Sequence, residues 1–393
     1  MTIRGPALAR LRKTLARHAR EGWERAVFAR PGGDEEPVVA SGPGPGAPDA
    51  AALDALLDAA EAAAREGRVK QTLVLDERRR VKVDARHGKA KVVELDDALA
   101  RKVMGGKERA LRPDASAGLL RVIGIMNADG SISARAAKKY KQVNHFVELC
   151  RPVWTRLVQQ RPPTAEAPLR VLDLGCGNGY LGFVLAEALR LAEIPVRLHG
   201  VDRRADVIAQ CQARAEALGL QGLSFQTASI DAVGLASEAL GGPPELVVAL
   251  HACDTATDDA LALAIRAGAR SILAAPCCQH ELAAQLQGLD EAHADAAAPV
   301  PALLRCSILR QGYAADLTDA LRVELLEACG YHVDAIEFVG SEHTPKNLLL
   351  RAHRRHPEAE VDPSRWRLEG VRARCEMLGA RPSLLVALEG RPA

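Results

Sequence analysis

Between Leu169 and about Ala352 the chain alternates short apolar runs with longer segments whose apolar residues recur at helical spacing. The runs 169–174, Val196–Val201, Leu223–Thr227, Glu245–Leu250 and Ser271–Ala275 have the length of buried strands, and a last pair, Val333–Val339 and Asn347–Ala352, closes the series. Such alternation predicts an α/β region wound on both faces of a sheet, with ligands beyond the carboxyl ends of the strands. Upstream the rhythm differs. Residues 6–29 read as a helix and a short strand, Asp49–Arg65 as an alanine-rich helix, and Gln71–Leu75, Val81–Asp84 and Ala90–Glu94 as strands. Residues 31–48, rich in Gly and Pro, read as a linker inside this smaller α+β domain, which spans 1–130. A bridging helix is expected over Ser133–Gln160, with Ser133 as N-cap, Tyr140, Val143, Phe146, Val147 and Cys150 on one face, and Pro152 as a kink or break. The stretch Ala283–Leu304 reads as a surface insertion.

One run carries the most chemistry: Val171-Leu172-Asp173-Leu174-Gly175-Cys176-Gly177-Asn178-Gly179-Tyr180-Leu181-Gly182. It joins the first strand of the series to a helix. Gly175, Gly177 and Gly179 let the backbone approach a ligand, because no Cβ intervenes. The turn ends at a helix N-terminus, where free N–H groups favour negative charge. The dinucleotide fingerprint is G-x-G-x-x-G with no acid ahead of it. Here the spacing is G-x-G-x-G, and Asp173 stands two residues before the first glycine. A carboxylate there repels a pyrophosphate and suits an ammonium group, such as that on the methionine part of S-adenosylmethionine. Asp202, closing the second strand, is placed to accept from both ribose hydroxyls or to cap the following helix. Ser229, Ile230 and Asp231, after the third strand, are placed to contact adenine or form a plain loop.

Composition sets the compartment and hints at a partner. Nine cysteines, an odd number without a disulfide-like framework, point to reduced cytoplasmic thiols. No apolar stretch is long enough to span a membrane, and Met1–Arg20 lacks the apolar core of a signal peptide. The formal net charge is only +2, yet Lys70–Pro113 holds thirteen Lys/Arg against seven Asp/Glu. Runs such as Arg78-Arg79-Arg80 and Arg101-Lys102, with Lys138, Lys139 and Lys141, suit phosphates or form a solvated basic face.

Two further strand exits are polar. The fourth ends in His251-Ala252-Cys253-Asp254-Thr255-Ala256-Thr257-Asp258, the fifth in Pro276-Cys277-Cys278-Gln279-His280-Glu281. The methyl-acceptor pocket is expected here, with His251, Asp254 and Asp258 orienting or deprotonating the acceptor and Cys277, Cys278 and His280 lining it. Three readings of the thiols stand open. They are a nucleophile, metal ligands with His251, Cys253 and His280, or small apolar packing groups. Paired C-x-x-C spacing is missing, so no metal is assigned. His343 and Lys346, in the turn Glu342–Asn347, serve as a base, a phosphate contact or a simple turn.

The glycine run, the segment Leu250–Asp258, Pro276–Leu282 and Glu342–Asn347 together resemble the bacterial class I S-adenosylmethionine-dependent methyltransferases grouped as methyltransferase domain 32. Leu120–Gly130 and Lys141-Gln142-Val143-Asn144 resemble that group too. A more distant likeness, through the His-Cys-Thr-Asp type of strand exit and the Cys-Cys-His motif, is to the eukaryotic tRNA 2′-O-methyltransferase with a CHHC zinc finger. The resemblance implies a Rossmann-like methyltransferase sheet over 161–355, preceded by the bridging helix at 131–160 and followed by a C-terminal extension at 356–393, with S-adenosylmethionine as cofactor. The expected function is methylation of RNA, rRNA or tRNA, recruited through the basic N-terminal half. The alternatives are a protein or small-molecule acceptor, or a non-catalytic RNA-binding or assembly factor that binds the cofactor. The acceptor atom and the oligomeric state stay open.

Overall fold

The computed structural model describes residues 3, 5–32, 35–234, 238–250, 252–276, 278–289, 291–298, 300–338 and 347–390. Its contacts separate two units, Met1–Asn144 and His145–Ala393. The first unit runs α1 (Gly5–His18), β1 (Gly22–Ala29), β2 (Val38–Pro45), α2 (Ala50–Arg65), β3 (Lys70–Val74), β4 (Arg79–Asp84), β5 (Lys89–Glu94), α3 (Asp97–Val103) and α4 (Ala117–Val122). Helix α5 (Ala134–Gln160) contains the boundary between the units, so the expected bridge is shared by both.

The five strands of the first unit form an antiparallel sheet in the order β2-β1-β3-β4-β5. Period-two alternation puts Ala26, Phe28, Leu73, Val81 and Val83 on one face, where they pack on Leu8, Leu11 and Leu15 of α1 and Leu56, Leu57 and Ala60 of α2. Asp49 caps α2 by accepting from the Ala52 N–H at 2.7 Å. The expected linker at 31–48 needs correction, because Val38–Pro45 is a strand paired with β1 across a register shift near Trp23. Its glycines answer a packing demand: a Cβ on Gly42 would lie 2.0 Å from the Trp23 carbonyl oxygen. Its prolines are tolerated because β2 is an edge strand.

The second unit runs β6 (Leu169–Leu174), α6 (Tyr180–Leu191), β7 (Val196–Asp202), α7 (Ala205–Leu218), β8 (Leu223–Thr227), β9 (Leu246–Ala249), α8 (Thr255–Arg266), β10 (Ser271–Ala274), α9 (Glu281–Gln287), α10 (Glu291–Ala297), α11 (Ala302–Arg305), α12 (Ser307–Ala328), β11 (Tyr331–Glu337), β12 (Leu348–Arg354), α13 (Glu369–Met377) and α14 (Ser383–Glu389). Its seven strands lie in the order β11-β12-β10-β9-β6-β7-β8, and β12 runs antiparallel to both neighbours. This is the expected doubly wound Rossmann-like sheet. Strands β9 and β10 are buried at every position, as helices on both faces require. Two expectations shift. The stretch 283–304 contributes Ala283, Leu286 and Ala297 to the core rather than lying only on the surface, and 356–393 contributes Val371, Cys375, Leu384 and Leu388 to that core. No helix among the described residues is long and apolar enough to cross a membrane.

Candidate cofactor and acceptor site

The strand order reverses at β6, whose neighbours β9 and β7 lead away in opposite directions. A crevice opens at such a switch point, beyond the carboxyl ends of the strands. The glycine run sits there. Gly175, Gly177 and Gly179 all have positive φ, at 66°, 56° and 72°. A Cβ on Gly175 would come 3.3 Å from the Ala252 nitrogen, and one on Gly179 would come 2.8 Å from the Phe183 ring. The loop is pinned from below: Cys176 N–H donates to the Val201 carbonyl at 2.9 Å, and Gly177 N–H to Asp202 Oδ2 at 2.9 Å. The Cys176 and Cys211 thiols both donate to the Gly177 carbonyl, at 3.6 and 3.5 Å.

Asp173 lies at the end of β6 with 3 % of its surface exposed. Burial, reinforced by the nearby Asp202 carboxylate, pushes its pKa up to about 7. Its room exists only because residue 182 is glycine, since a Cβ there would sit 2.7 Å from Asp173 Oδ2. A buried carboxylate held near neutrality is a site in want of a cation. Asp202 is buried as well. Burial raises its pKa, but hydrogen bonds from the Arg204 side chain and backbone and from Gly177 outweigh this and leave it lowered. It closes β7 as expected, although the glycine loop and Arg204 each engage one of its oxygens. Ser229, Ile230 and Asp231 form a short turn after β8. There the Ser229 hydroxyl holds the exposed Asp231 carboxylate below its usual range, and Ile230 rests on the core.

The fourth strand exit carries a strained residue. Asp254, which precedes α8, has φ 53° and ψ −126°, a conformation that costs a non-glycine residue roughly 1–3 kcal/mol. Its Oδ1 accepts from the backbone N–H of His280 at 2.9 Å and of Glu281 at 3.3 Å, which ties this exit to the next. Asp258 is 2 % exposed, and Arg322 takes both of its oxygens, at 2.9 Å through Nε and 2.7 Å through Nη2. Arg322 also donates to Asp319 and to the Asp254 carbonyl, while Gln279 donates to both oxygens of Asp319 at 3.0 Å. These contacts revise the expected acceptor-facing role of Asp258. It is half of a buried ion pair that braces two strand exits. Asp254 likewise spends Oδ1 on the adjoining loop.

Of the other acceptor-side residues, His280 and Cys253 are exposed and Cys278 is half-buried. His251, Cys277 and the turn with His343 and Lys346 lie outside the described residues. Arg322, Asp319 and Gln279 escaped the sequence reading. Their signal was a pair of charges three apart on the otherwise apolar face of α12, where Leu321, Leu325 and Leu326 are buried.

Residues 138–285 match the family model of a methyltransferase domain. The match contains the glycine loop, Asp202 and both polar strand exits. That segment is similar to a methyltransferase domain, and its residues fit S-adenosylmethionine: a cradle free of Cβ atoms for the backbone approach and a buried acid for an ammonium group. The mouse glutathione S-transferase C-terminal domain-containing protein is 29% identical over 151 residues, 38% of this chain and 20% of its own length. Its Xenopus laevis counterpart is 26% identical over 152 residues, 38% of this chain and 21% of its own length. The chain thus spans about a fifth of the length of the curated relatives it matches. Among solved structures, the magnesium protoporphyrin IX methyltransferase of Synechocystis PCC 6803 with bound SAH is 16% identical, with a TM-score of 0.33 over 61% of this chain and 93% of its own. The bifunctional kinase-methyltransferase WbdD is 14% identical, with a TM-score of 0.34 over 54% of this chain and 39% of its own.

Proposed function

We propose that this chain methylates RNA with S-adenosylmethionine, in the cytoplasm. The observation that carries the methyl-transfer part is the pinned loop of three positive-φ glycines beside a buried Asp173. When bound, the cofactor supplies a methyl group on a positively charged sulfur. Asp173 and the loop hold the cofactor's amino-acid end, and Asp202, Ser229, Ile230 and Asp231 face its nucleoside end. In-line transfer of such a group depends on how acceptor and donor are held, so the residues that position them would supply much of the rate. The braced exits at Asp254 and His280 hold that geometry, and an acceptor-side base removes the acceptor proton.

The RNA part is supported by the excess of Lys and Arg over 70–113. A protein or small-molecule acceptor is the second reading, because many of these arginines are already paired with carboxylates, as on a solvated face: Arg78 with Asp114 at 2.7 Å, Arg86 with Asp84 at 2.6 Å. The deciding experiment is transfer of labelled methyl to fractionated extract from cells lacking the protein. Nuclease-sensitive label is expected, and mapping the modified nucleoside then separates base from 2′-oxygen. Label confined to protein or small molecules overturns the RNA reading and keeps the methyltransferase one.

A further inference from the structure

We propose that the partly open face of the sheet in the first unit, where Val27, Thr72 and Val74 are buried but the lysines stand exposed, is the surface that grips the RNA phosphate backbone, through Lys70, Lys82, Lys89 and Lys91. The inference rests on the RNA reading above and names the residues that serve it.

Strand register carries the argument. Lys70 pairs with Asp84 and Asp84 with Lys89, while Thr72 pairs with Lys82 and Lys82 with Lys91. Directly paired residues share a face, and so do residues two apart on one strand. The four lysines therefore stand in two neighbouring rows on one side of the sheet, and α1 and α2 cover the other side. The two rows lie roughly 6.6 Å apart, twice the rise per strand residue. A cleft of about 840 Å³ lies over them, closed on one side by the segment holding Asn127, Asp129 and Ser131. That segment is fastened to the same face: the Ala128 carbonyl accepts from Arg25 at 2.8 Å and the Asp129 carbonyl from Arg80 at 2.9 Å.

Charge bookkeeping separates these lysines from the arginines that the sequence made conspicuous. Arg78 is taken by Asp114, Arg79 by Asp76, Arg112 by Asp97 and Asp114, and Arg121 by Glu77. Of the four acids that line the cleft, Glu36 has no side-chain partner among the described residues, and the other three are engaged. Asp84 binds Arg86, Glu35 binds Arg30 and Arg68, and Asp129 accepts from the Ser131 hydroxyl. Lys82 reaches Asp129 only at 3.6 Å, and Lys70, Lys89 and Lys91 have no carboxylate partner among the described residues. Part of the unit's positive charge is thus carried by flexible ammonium groups spread over three strands of this sheet. They do not converge on one point, as a small anion would need. Among the described residues no aromatic side chain lines the cleft, and its lysines suit contacts to a phosphate backbone.

The test uses the full chain, with bulk tRNA as probe and binding followed against salt. The variant Lys89→Glu/Lys91→Glu changes two exposed positions on the edge strand β5, and Lys89→Gln/Lys91→Gln removes charge without reversing it. The control, Lys138→Glu/Lys139→Glu, makes the same net change at exposed positions of α5 outside the cleft. Far-ultraviolet circular dichroism and urea unfolding are expected to be the same for all, which shows that they fold. At about 0.1 M salt the Glu variant is expected to lose roughly tenfold or more in RNA affinity, with a salt slope shallower by about 0.7–0.9 per lost contact. The Gln variant follows in the same direction, and the control stays within about twofold. Equal losses in variant and control, or undiminished binding by the variant, overturn this surface while the RNA reading stands. Wild-type protein without salt-dependent binding to RNA overturns both.

Discussion

The two sheets of this molecule differ in what they leave open. The central strands of the seven-stranded sheet are buried on both faces, and its switch point lies at an edge, where β6, β7 and β9 end. The five-stranded sheet is covered on one face by α1 and α2 and only partly on the other, so it offers a surface. An edge gives depth and exclusion of water, which suit a small cofactor and the burial of Asp173. A surface gives reach and many weak contacts, which suit a long polyanion. On the functions proposed above, cofactor chemistry and substrate capture fall to two sheets of different construction.

The comparison can be broken most forcefully at Arg322. Changing Arg322→Met strands Asp258 and Asp319 without their partner, and urea unfolding should show a loss of about 3–5 kcal/mol, as for other buried pairs that lose one member. A loss below about 1 kcal/mol would mean that the strand exits are held by something else. Next in size is the cofactor end. Asp173→Asn should weaken S-adenosylmethionine by roughly 10- to 150-fold, the worth of a charged hydrogen bond, and Gly182→Ala should weaken it by crowding the same oxygen. Calorimetry that finds native affinity in both removes Asp173 from the site.

The pH dependence sharpens the assignment. With its pKa near 7 in the free protein, Asp173 is mostly ionised above that value and mostly neutral below it. The cation-binding form therefore falls about tenfold per pH unit on the acid side, and cofactor affinity should fall with it between pH 7 and 5. The same burial works against stability in the other direction. The unfolded chain gives up this proton near pH 4, so the free protein loses stability as pH rises from there to about 7. Asp173→Asn should flatten both trends, and a wild-type affinity independent of pH refutes the carboxylate–ammonium contact. The smallest effect belongs to the other sheet. Gly42→Ala should cost the first unit about 1–3 kcal/mol through its clash with Trp23, and leave cofactor affinity unchanged. Unfolding followed by Trp23 fluorescence would report it.

What the sequence disclosed and what it concealed divide along the range of the interactions. The wound sheet and the glycine loop were legible because their signals are local: apolar runs of strand length, and three glycines at alternate positions. Strand β2 was misread because glycine and proline break regular structure by default. The reason for Gly42 is the bulk of Trp23 on a neighbouring strand, which no local pattern reports. Asp258 was misread for the same cause, since its partner Arg322 stands 64 residues away on α12. The strand exit looked like a place for acid–base chemistry. Only the fold reveals that one of its carboxylates is already spoken for. The basic runs gave the right sign of charge but directed attention to arginines that the folded unit neutralises internally.

The composition of β2 also bears on how the protein behaves in a crowded solution. A sheet with an open edge can be lengthened by a strand from another molecule, and long flat edges seed fibrils in this way. Pro43 and Pro45 have no N–H to offer an incoming strand, and glycines beside them supply no side chains to clasp one. At the opposite edge, Lys89 and Lys91 set like charges against a second copy of themselves. The prolines of one rim and the like charges of the other thus both work against growth of this sheet, even though Val38, Val39 and Val92 on those rims are exposed.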